Sequence, residues 1–578
     1  MQTNRLVLAA AVATASLAAQ QTFPLPNSSP STTAVEGTAP FLIPARMTQT
    51  PIVNRDTLTL SHALPASFGN WDMIAFDPTS RHIFVPCEVG SGAGVFRYDT
   101  VTGSQATLLL GNGSGTRNPD PNTWSATSDD YARLDPATYT PNGTVLTGEE
   151  TTGGRLFEIM NPLGNAPFNV RWLDKVPAMS HEGIRFDSQG NLYVIDENNS
   201  GSIYKYVPAN PADLAVGQTF VLVVDAYATH PNAAPAENWN SASNQLAPRT
   251  GPATWVPITD ATGNATTISN PFAYVTTTGG RDAADEVLGT PYGRPEDLDF
   301  NRLANGNECL YCCVTSEHAV LSIELTSTDT ATVRVLCDRN TIDLATGAAV
   351  GSSLTSPDNL AVDAWGNVYV IEDQNPGDLW KTVDADRDGV AEGIGRLVSL
   401  GVGGSEPTGM IFDPNEPYRF VCSIQHPSSG NDALWAFHTR PYPGSDLDLT
   451  LAVGVNEVPR TGPGEFVRQA AGFDTVAFRV DSPNGTLYGM PFALMFQPFP
   501  TANGPAAFLP PLWLTPLAPM FVLVGGYAGQ FPQTLPFGAA SVGVTVPPGL
   551  AGVSIMAQAL GVTANSSIVV TDGVEVVL

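Results

Sequence analysis

Basic residues are scarce in this 578-residue chain, which has 26 Lys and Arg against 55 Asp and Glu and a net charge of −29. Such an excess of carboxylates is repelled by a nucleic-acid backbone, so the composition argues against nucleic acid as a binding partner. Cysteine is rare as well, with six residues. Cys309, Cys312 and Cys313 lack the second pair or the nearby histidines of a zinc site, so we expect buried thiols or one or two disulfides.

Long apolar runs are also missing after the N-terminus, so we expect no transmembrane segment. Residues 1–19 combine one Arg, a short Ala/Val/Leu run and small residues at Ala18 and Ala19. This pattern is typical of a secretory signal peptide and predicts a secreted protein, periplasmic or extracellular. The chain contains no phosphate-binding loop, no nucleophile elbow and no HExxH motif.

Glycine (54 residues) and proline (49 residues) are abundant, as in all-β chains rich in turns. A repeated pattern shows how the strands are arranged: an acidic residue, an apolar strand, a turn, a second apolar strand with a polar or acidic end, and a third strand. The six copies begin at Asp72, Asp135, Glu182, Glu296, Asp358 and Glu406. Their second strands cover residues 83–88, 144–150, 192–197, 310–317, 368–373 and 419–425.

Six such repeats predict an all-β fold with a six-bladed β-propeller, because radial closure hides the edges of the sheets. We place the propeller at residues 60–442, after an extended lead-in at residues 20–59. The longest interval between copies holds a polar insertion at about residues 208–290, which is expected to form loops on one face. Residues 448–578 alternate apolar strands with Pro/Gly turns and predict a C-terminal β-sandwich domain, for which we expect a role in surface or protein attachment.

The acids at the strand ends indicate a metal site. The first strand of each propeller blade lines the central channel, so these acids crowd round one mouth and repel each other unless protons or cations neutralise them. Calcium suits such a site because it accepts about six to eight oxygen ligands in flexible geometry. The candidate metal ligands are Glu149, Glu150, Glu182, Asp196, Glu197, Glu296, Asp358, Glu372, Asp373 and Glu406.

Other polar residues are candidates for substrate contacts. Arg294 precedes Glu296 and is either a salt-bridge partner or a guanidinium directed at a phosphate or carboxylate. His181 and His426, with Gln425 beside the latter, are candidates for ligand, acid/base or orienting roles. Away from the mouth, the Asp384, Asp386 and Asp388 run resembles a calcium loop but lacks its final Glu, which leaves a structural calcium or a plain acidic turn open.

These motifs resemble the PhoX-type alkaline phosphatases, a family of secreted six-bladed propellers. The similar segments are Ser180-His181-Glu182, Tyr292 to Glu296, Ser356 to Asn359, Glu372-Asp373, Glu406 to Gly409 and Ser423 to Pro427. The resemblance implies calcium and iron ions held by carboxylates at the channel mouth, hydrolysis of small phosphate monoesters, and binding of the phosphate by Arg294. We predict Arg294 and His181 as catalytic residues and Arg294, Gln425 and His426 as substrate-binding residues.

One motif departs from the family. The family's Thr-Cys-Glu-Glu, whose cysteine is an iron ligand, is replaced by Thr147-Gly148-Glu149-Glu150. Ca²⁺ is therefore the expected cofactor, and Fe³⁺ or another transition metal stays open, with Cys87 as an alternative thiolate. The leading prediction is a secreted metal-dependent phosphoesterase. The alternatives are a calcium-stabilised propeller that binds a ligand without catalysis and a lactonase-like hydrolase.

Overall fold

The computed structural model describes residues 24–30, 34–44, 47–363, 366–384, 386–415, 419–438, 448–456, 467–500, 512–515, 518–525 and 532–578. The predicted signal peptide at residues 1–19 lies outside this part of the chain. Within it, every helix is too short or too polar to cross a bilayer.

The regular structure of the described chain consists mainly of short strands, nearly all in antiparallel pairs. The N-terminal elements are β1 (Phe41–Leu42), β2 (Thr48–Asn54) and α1 (Arg55–His62). The first blade contains β3 (Ala75–Phe76), β4 (His82–Pro86), β5 (Gly94–Asp99) and β6 (Gln105–Leu110). The second contains β7 (Thr138–Tyr139), β8 (Val145–Gly148), β9 (Leu156–Ile159) and β10 (Val170–Trp172), and the third contains β11 (Ile184–Phe186), β12 (Leu192–Ile195), β13 (Ile203–Asn210) and β14 (Asp213–Val224).

A long connection separates the third blade from the fourth. It contains α2 (Asp225–Ala228), β15 (Gly251–Pro257) and α3 (Gly279–Glu286). The fourth blade then contains β16 (Pro295–Arg302), β17 (Glu308–Val314), β18 (Ala319–Leu325) and β19 (Thr330–Cys337). The fifth contains β20 (Pro357–Val362), β21 (Val368–Glu372), β22 (Asp378–Val383) and β23 (Gly393–Leu400), and the sixth contains β24 (Glu406–Phe412), β25 (Arg419–Gln425) and β26 (Ala433–His438).

Two segments complete the sheets from elsewhere in the chain. Strand β2 pairs antiparallel with β26, with Thr48 opposite His438, and so becomes the fourth strand of the sixth blade. Strand β1 adds to β23 at the edge of the fifth blade. Both come from the predicted lead-in, while β14, the fourth strand of the third blade, lies inside the predicted insertion. Its other edge pairs with β15, which also pairs with β19 of the fourth blade.

The strands after residue 448 form two further sheets. Their bounds are β27 (Thr450–Val455), β28 (Val467–Gln469), β29 (Thr475–Asp481), β30 (Phe492–Pro500), β31 (Phe521–Gly525), β32 (Ala540–Thr545), β33 (Val553–Val562), β34 (Ile568–Val570) and β35 (Val574–Val577). One sheet has the order β27-β29-β32 and the other β28-β35-β33-β30-β31, with β34 beside β33. Leu451 and Phe478 from the first sheet share one buried core with Phe492 and Met556 from the second. The predicted propeller with a C-terminal β-sandwich is confirmed.

The propeller core lies between neighbouring blades. Trp71 and Phe96 of the first blade pack in one cluster with Val421 and Leu434 of the sixth, which joins the two ends of the ring. All six cysteines are free and buried, so of the two predicted fates the structure shows buried thiols. This packing holds the first strand of every blade close to the axis.

Candidate functional site

Six side chains at matching positions of the six blades form a ring at the axis, which we call the inner ring. Its members are Asp72, Asp135, Glu182, Glu296, Asp358 and Thr408. Carboxylate oxygens of Glu182, Glu296 and Asp358 lie within 4.8 Å of one another. The Thr408 hydroxyl hydrogen-bonds to Asp72 Oδ1 in the next blade.

The sixth position of the inner ring differs from the sequence expectation, which began the sixth copy at Glu406. Gly183 and Gly409 show the true correspondence, because both lie against the backbone of the next blade. A Cβ at Gly183 would lie 2.6 Å from the Glu296 carbonyl oxygen, and a Cβ at Gly409 would meet the Asp72 carbonyl oxygen. Thr408, directly before Gly409, therefore takes the place of an acid, and the inner ring has five carboxyl groups.

The inner ring holds more negative charge than its surroundings stabilise. Burial, followed by the charges of Glu296 and Asp358, raises the pKa of Glu182 well above its usual range. Burial also raises the pKa of Glu296 to about 8. Glu182 Oε2 and Asp135 Oδ1 are buried without a hydrogen-bond partner among the described residues. Such oxygens call for protons or a cation.

A second set of matching positions lies two residues before the inner ring, and we call it the outer ring. Its members are Asn70, Arg133, Ser180, Arg294, Ser356 and Glu406. The carbonyl oxygens of the first five accept backbone hydrogen bonds from the ends of the second strands, from Glu88, Glu150, Glu197, Thr315 and Asp373 respectively. In the sixth blade, Glu406 pairs with Gln425. We call these six partners the strand-end ring: Glu88, Glu150, Glu197, Thr315, Asp373 and Gln425.

Consecutive acids at the strand ends take different environments. Glu149 accepts hydrogen bonds from Arg155 Nε and Nη2, both at 2.8 Å. Asp196 accepts from Arg281 Nε at 2.6 Å, and Glu372 accepts from the Thr355 backbone N–H at 2.7 Å. These three predicted metal ligands therefore already accept hydrogen bonds from other residues of the protein.

The acid that follows each of these three belongs to the strand-end ring instead. The ten predicted metal ligands therefore fall into four groups: Glu182, Glu296 and Asp358 in the inner ring, Glu150, Glu197 and Asp373 in the strand-end ring, Glu406 in the outer ring, and Glu149, Asp196 and Glu372 with protein donors. Only the first three form a close group of oxygens among the described residues around the axis.

Arg294 lies where the three rings meet. Its Nη2 is 2.6 Å from Glu197 Oε1 and 3.0 Å from Glu296 Oε1, and its side chain is 35% exposed. Burial works against its charge, but Glu296 and Glu197 outweigh burial and raise the pKa of Arg294. The guanidinium is therefore a fixed cation that is still open to a ligand.

His426 provides a second positive charge. Its Nε2 lies 2.6 Å from Glu406 Oε1 and its Nδ1 lies 3.0 Å from the Gly404 carbonyl oxygen. The hydrogen bond with Glu406 raises the pKa of His426 to about 9, so the imidazole is protonated at neutral pH. Its neighbour Gln425 donates to Glu88 Oε2 at 3.0 Å.

His181 precedes Glu182 of the inner ring and packs against Gly148 of the second blade. Its side chain is fully buried, and neither ring nitrogen has a hydrogen-bond partner among the described residues. Burial lowers the pKa of His181 to about 4, so the ring is neutral. A Cβ at Gly148 would lie 2.6 Å from His181 Cβ, which shows that the histidine packs directly on the glycine.

The donors present fit a hard cation better than a thiolate-bound iron. The close group at the axis offers carboxylate oxygens alone. Cys87 lies in an apolar cluster with Trp71 and Phe96, and burial followed by the charge of Asp432 raises its pKa well above the usual range. Cys87 is therefore no substitute for the thiolate that Gly148 lacks.

Sequence reasoning missed four residues of the site: Asp72, Asp135, Glu88 and Arg133. Each occupies a repeat position that was recognised in another blade, so the repeat itself was the signal that identifies them. Arg133 is the counterpart of Arg294, and its Nη1 lies 3.2 Å from Glu88 Oε1.

The comparisons with known proteins agree with this geometry. The model of the family described as "Alkaline phosphatase PhoX" matches residues 166–428. The resemblance to the PhoX family is confirmed. This PhoX region includes Glu182, Arg294, Glu296, Asp358 and His426, and the family is metal-dependent, in line with the acidic group at the axis.

Solved structures with similar chains share little sequence. A luciferin-regenerating enzyme is 9% identical over 68% of this chain and 95% of its own, with a TM-score of 0.36. A gluconolactonase from Xanthomonas campestris is 12% identical over 68% of this chain and 96% of its own, with a TM-score of 0.32. Scores this low carry no argument about function. No curated protein matches the chain.

Proposed function

We propose that this protein is a secreted, metal-dependent phosphoesterase that hydrolyses small phosphate monoesters at the mouth of its propeller. The observation that carries the proposal is the position of Arg294, a partly exposed guanidinium 3.0 Å from Glu296 of the close acidic group. An anion-binding group beside a cation-binding group is what a phosphate ester requires. The PhoX match over this region and the signal-like segment at residues 1–19 support the same proposal.

Glu182, Glu296 and Asp358 would hold the cation, and calcium suits their oxygen donors. When bound, such an ion offsets the charge of the carboxylates and polarises the phosphoryl oxygens of the ester. Glu182 Oε2 has no hydrogen-bond partner among the described residues, so this oxygen is available to bind the cation.

The residues round the cation bind and orient the ester. Glu197 accepts from Nε and lies beside Nη2 of Arg294, so Arg294 offers its remaining N–H donors and its positive charge to the phosphoryl oxygens and stabilises the charge that develops on them. Glu197 and Glu296 fix this guanidinium, which lowers the entropy lost when substrate binds. His426 adds a positive charge beside Glu406, and Gln425 is oriented by its hydrogen bond to Glu88. The ring of His181 is fully buried, so the proposal gives it no direct contact with the substrate.

A calcium-stabilised propeller that binds a ligand without catalysis is the second candidate, and Gly148 is the observation in its favour. The family places an iron-ligating cysteine at this position, and the six free cysteines of this chain are all buried. The proposed reaction therefore does not depend on iron. The two candidates predict the same binding site and differ in turnover.

The test is hydrolysis of 4-nitrophenyl phosphate by the purified protein, before and after treatment with a chelator and after Ca²⁺ or Fe³⁺ is restored. We expect turnover that is lost with the chelator and restored by Ca²⁺. Calcium binding without turnover under any metal condition would favour the non-catalytic candidate. A parallel assay with a simple lactone, in which turnover would favour a lactonase-like hydrolase, completes the comparison.

A further inference from the structure

Arg133 repeats the position of Arg294 in another blade. The two arginines belong to the outer ring, in the second and the fourth blade, two residues before Asp135 and Glu296. Their φ angles are 53° for Arg294 and 49° for Arg133. Their carbonyl oxygens accept the equivalent backbone hydrogen bonds, from Thr315 at 3.0 Å and from Glu150 at 2.8 Å. Matching backbones start both side chains in the same direction relative to the axis.

A chain of acids links the two guanidinium groups. Arg133 Nη1 lies 3.2 Å from Glu88 Oε1 and 3.9 Å from Glu150 Oε2. Burial, followed by the neighbouring Glu197, raises the pKa of Glu150 well above its usual range, and Glu197 Oε1 lies 2.6 Å from Arg294 Nη2. The two cations therefore flank one adjacent pair of carboxyl groups. The outer-ring residue between them is the neutral Ser180.

The guanidinium of Arg133 is more available to a ligand than that of Arg294. Its side chain is 52% exposed, compared with 35% for Arg294. Its guanidinium makes one hydrogen bond to the described residues, to Glu88. Since a guanidinium carries five N–H donors, most of those of Arg133 remain available to a ligand. The salt bridge with the partly exposed Glu88 is weak and leaves the other N–H donors of Arg133 available.

We infer that Arg133 binds a second phosphate group of the substrate, so that the site prefers phosphate esters whose leaving group carries a further phosphate. This inference rests on the proposed function, in which Arg294 binds the phosphate that is cleaved. One guanidinium on each side of the Glu150 and Glu197 pair gives two separate anion sites at one mouth. Arg133 is thus a specificity-determining residue.

The test compares glucose 6-phosphate with glucose 1,6-bisphosphate, two substrates that differ by one phosphate, through initial rates of phosphate release in Ca²⁺ buffer. For Arg133→Gln, KM should rise about tenfold more for the bisphosphate than for the monophosphate, the size of one charge-assisted hydrogen bond. Arg133→Lys, which keeps the charge, should recover part of that loss. Arg302→Gln is the matched control, because Arg302 is also an exposed arginine (60%) near a glutamate, at the hairpin between β16 and β17. It should give no difference between the two substrates.

An equal rise in KM for both substrates, or no change for either, would overturn the inference. If the wild-type protein hydrolyses neither compound, the inference is judged by calorimetric binding with Ca²⁺ present, while the proposed function is judged separately by hydrolysis of 4-nitrophenyl phosphate. The wild-type protein should then bind the bisphosphate about tenfold more tightly than the monophosphate, and Arg133→Gln should remove the difference. Equal affinities in the wild-type protein would exclude a second phosphate site.

Discussion

At the scale of single residues, side-chain direction decides which acids form the site. Neighbouring strand residues point to opposite sides, so each pair of consecutive acids is divided between two environments. Glu149 is bound by Arg155, whereas Glu150 lies in the strand-end ring. The repeat position therefore separates the acids of the three rings from those that accept hydrogen bonds from other residues of the protein.

Arg294→Gln should lower kcat/KM for 4-nitrophenyl phosphate about 100-fold, because the amide keeps the shape of the side chain but loses its charge and its fork of donors. The measurement is steady-state hydrolysis at saturating Ca²⁺, with Arg302→Gln as the control for loss of an exposed arginine. Activity of Arg294→Gln within twofold of the wild type would reduce Arg294 to a salt-bridge partner of Glu197.

At the scale of elements, the contact between the end of β8 and the loop before β11 explains why residue 148 is glycine. The His181 ring fills the space that a side chain at position 148 would need. Restoring the family's cysteine at this position would therefore push against a buried histidine before it could provide a metal ligand. Glycine at position 148 and the buried position of His181 are parts of one packing arrangement.

Gly148→Ala should lower the free energy of unfolding by about 1–3 kcal/mol, the usual effect of overpacking a buried site. Gly90→Ala is the matched control, since Gly90 is exposed and a Cβ there would meet nothing within 4 Å. Thermal and denaturant unfolding measure both variants. If the two alanine variants are equally stable, His181 yields readily and the packing explanation is wrong.

A chain that starts at Arg55 lacks β2 and so leaves the sixth blade with three strands. We expect its Tm to fall by more than about 10 °C, because several strand hydrogen bonds and the burial of β26 are lost together. Calorimetry of this chain is compared with that of a chain starting at Thr48, which keeps β2 and likewise lacks β1. Equal Tm values would show that β2 contributes nothing to closure.

The sequence predicted the six blades because each repeat carries its own strands and turns. Three of its ten candidate metal ligands, Glu182, Glu296 and Asp358, form the close group of oxygens at the axis, but it left out Asp72 and Asp135 although they begin repeats in the same way. It placed Glu406 in the ring of acids where the structure has Thr408, since the apolar run of the sixth copy is longer and its start was misread. It treated the segment with β2 as an extended lead-in, because a strand whose partner lies at His438 shows no local sign of pairing. The burial of His181 likewise depends on Gly148 of another blade.

At the scale of the whole molecule, the propeller concentrates charge that a chain of net −29 already holds in excess. Five carboxyl groups meet at the axis because all six blades contribute the same position. The folded state therefore depends on protons or cations at the inner ring, while the unfolded chain does not. Stability and ligand binding are thus linked through the same residues.

Without divalent cations, stability should decline as pH rises from about 5 to about 8. The pKa of Glu296 is raised from 4.5 to about 8 in the folded protein, so its protonated form stabilises the fold below pH 4.5 and this contribution is lost as pH passes 8. Ca²⁺ should compensate, so the increase in Tm on adding Ca²⁺ should be larger at pH 8 than at pH 5.5.

Thermal unfolding in chelator and in Ca²⁺ across this pH range measures the effect. Glu296→Gln should flatten the decline and reduce the response to Ca²⁺, whereas Glu237→Gln, which changes an exposed glutamate on the connection before the fourth blade, should do neither. A Ca²⁺ response that is the same at both pH values would contradict protonation of the inner ring.

The pairing of Thr48 with His438 also sets the order of events during synthesis. The ribosome makes β2 before any blade, and its partner β26 is among the last strands of the propeller to leave the exit tunnel. Throughout that interval β2 is an unpaired strand, and unpaired strands are where other chains add and aggregate. A cell that makes this protein therefore has to keep β2 isolated until almost the entire propeller has been translated.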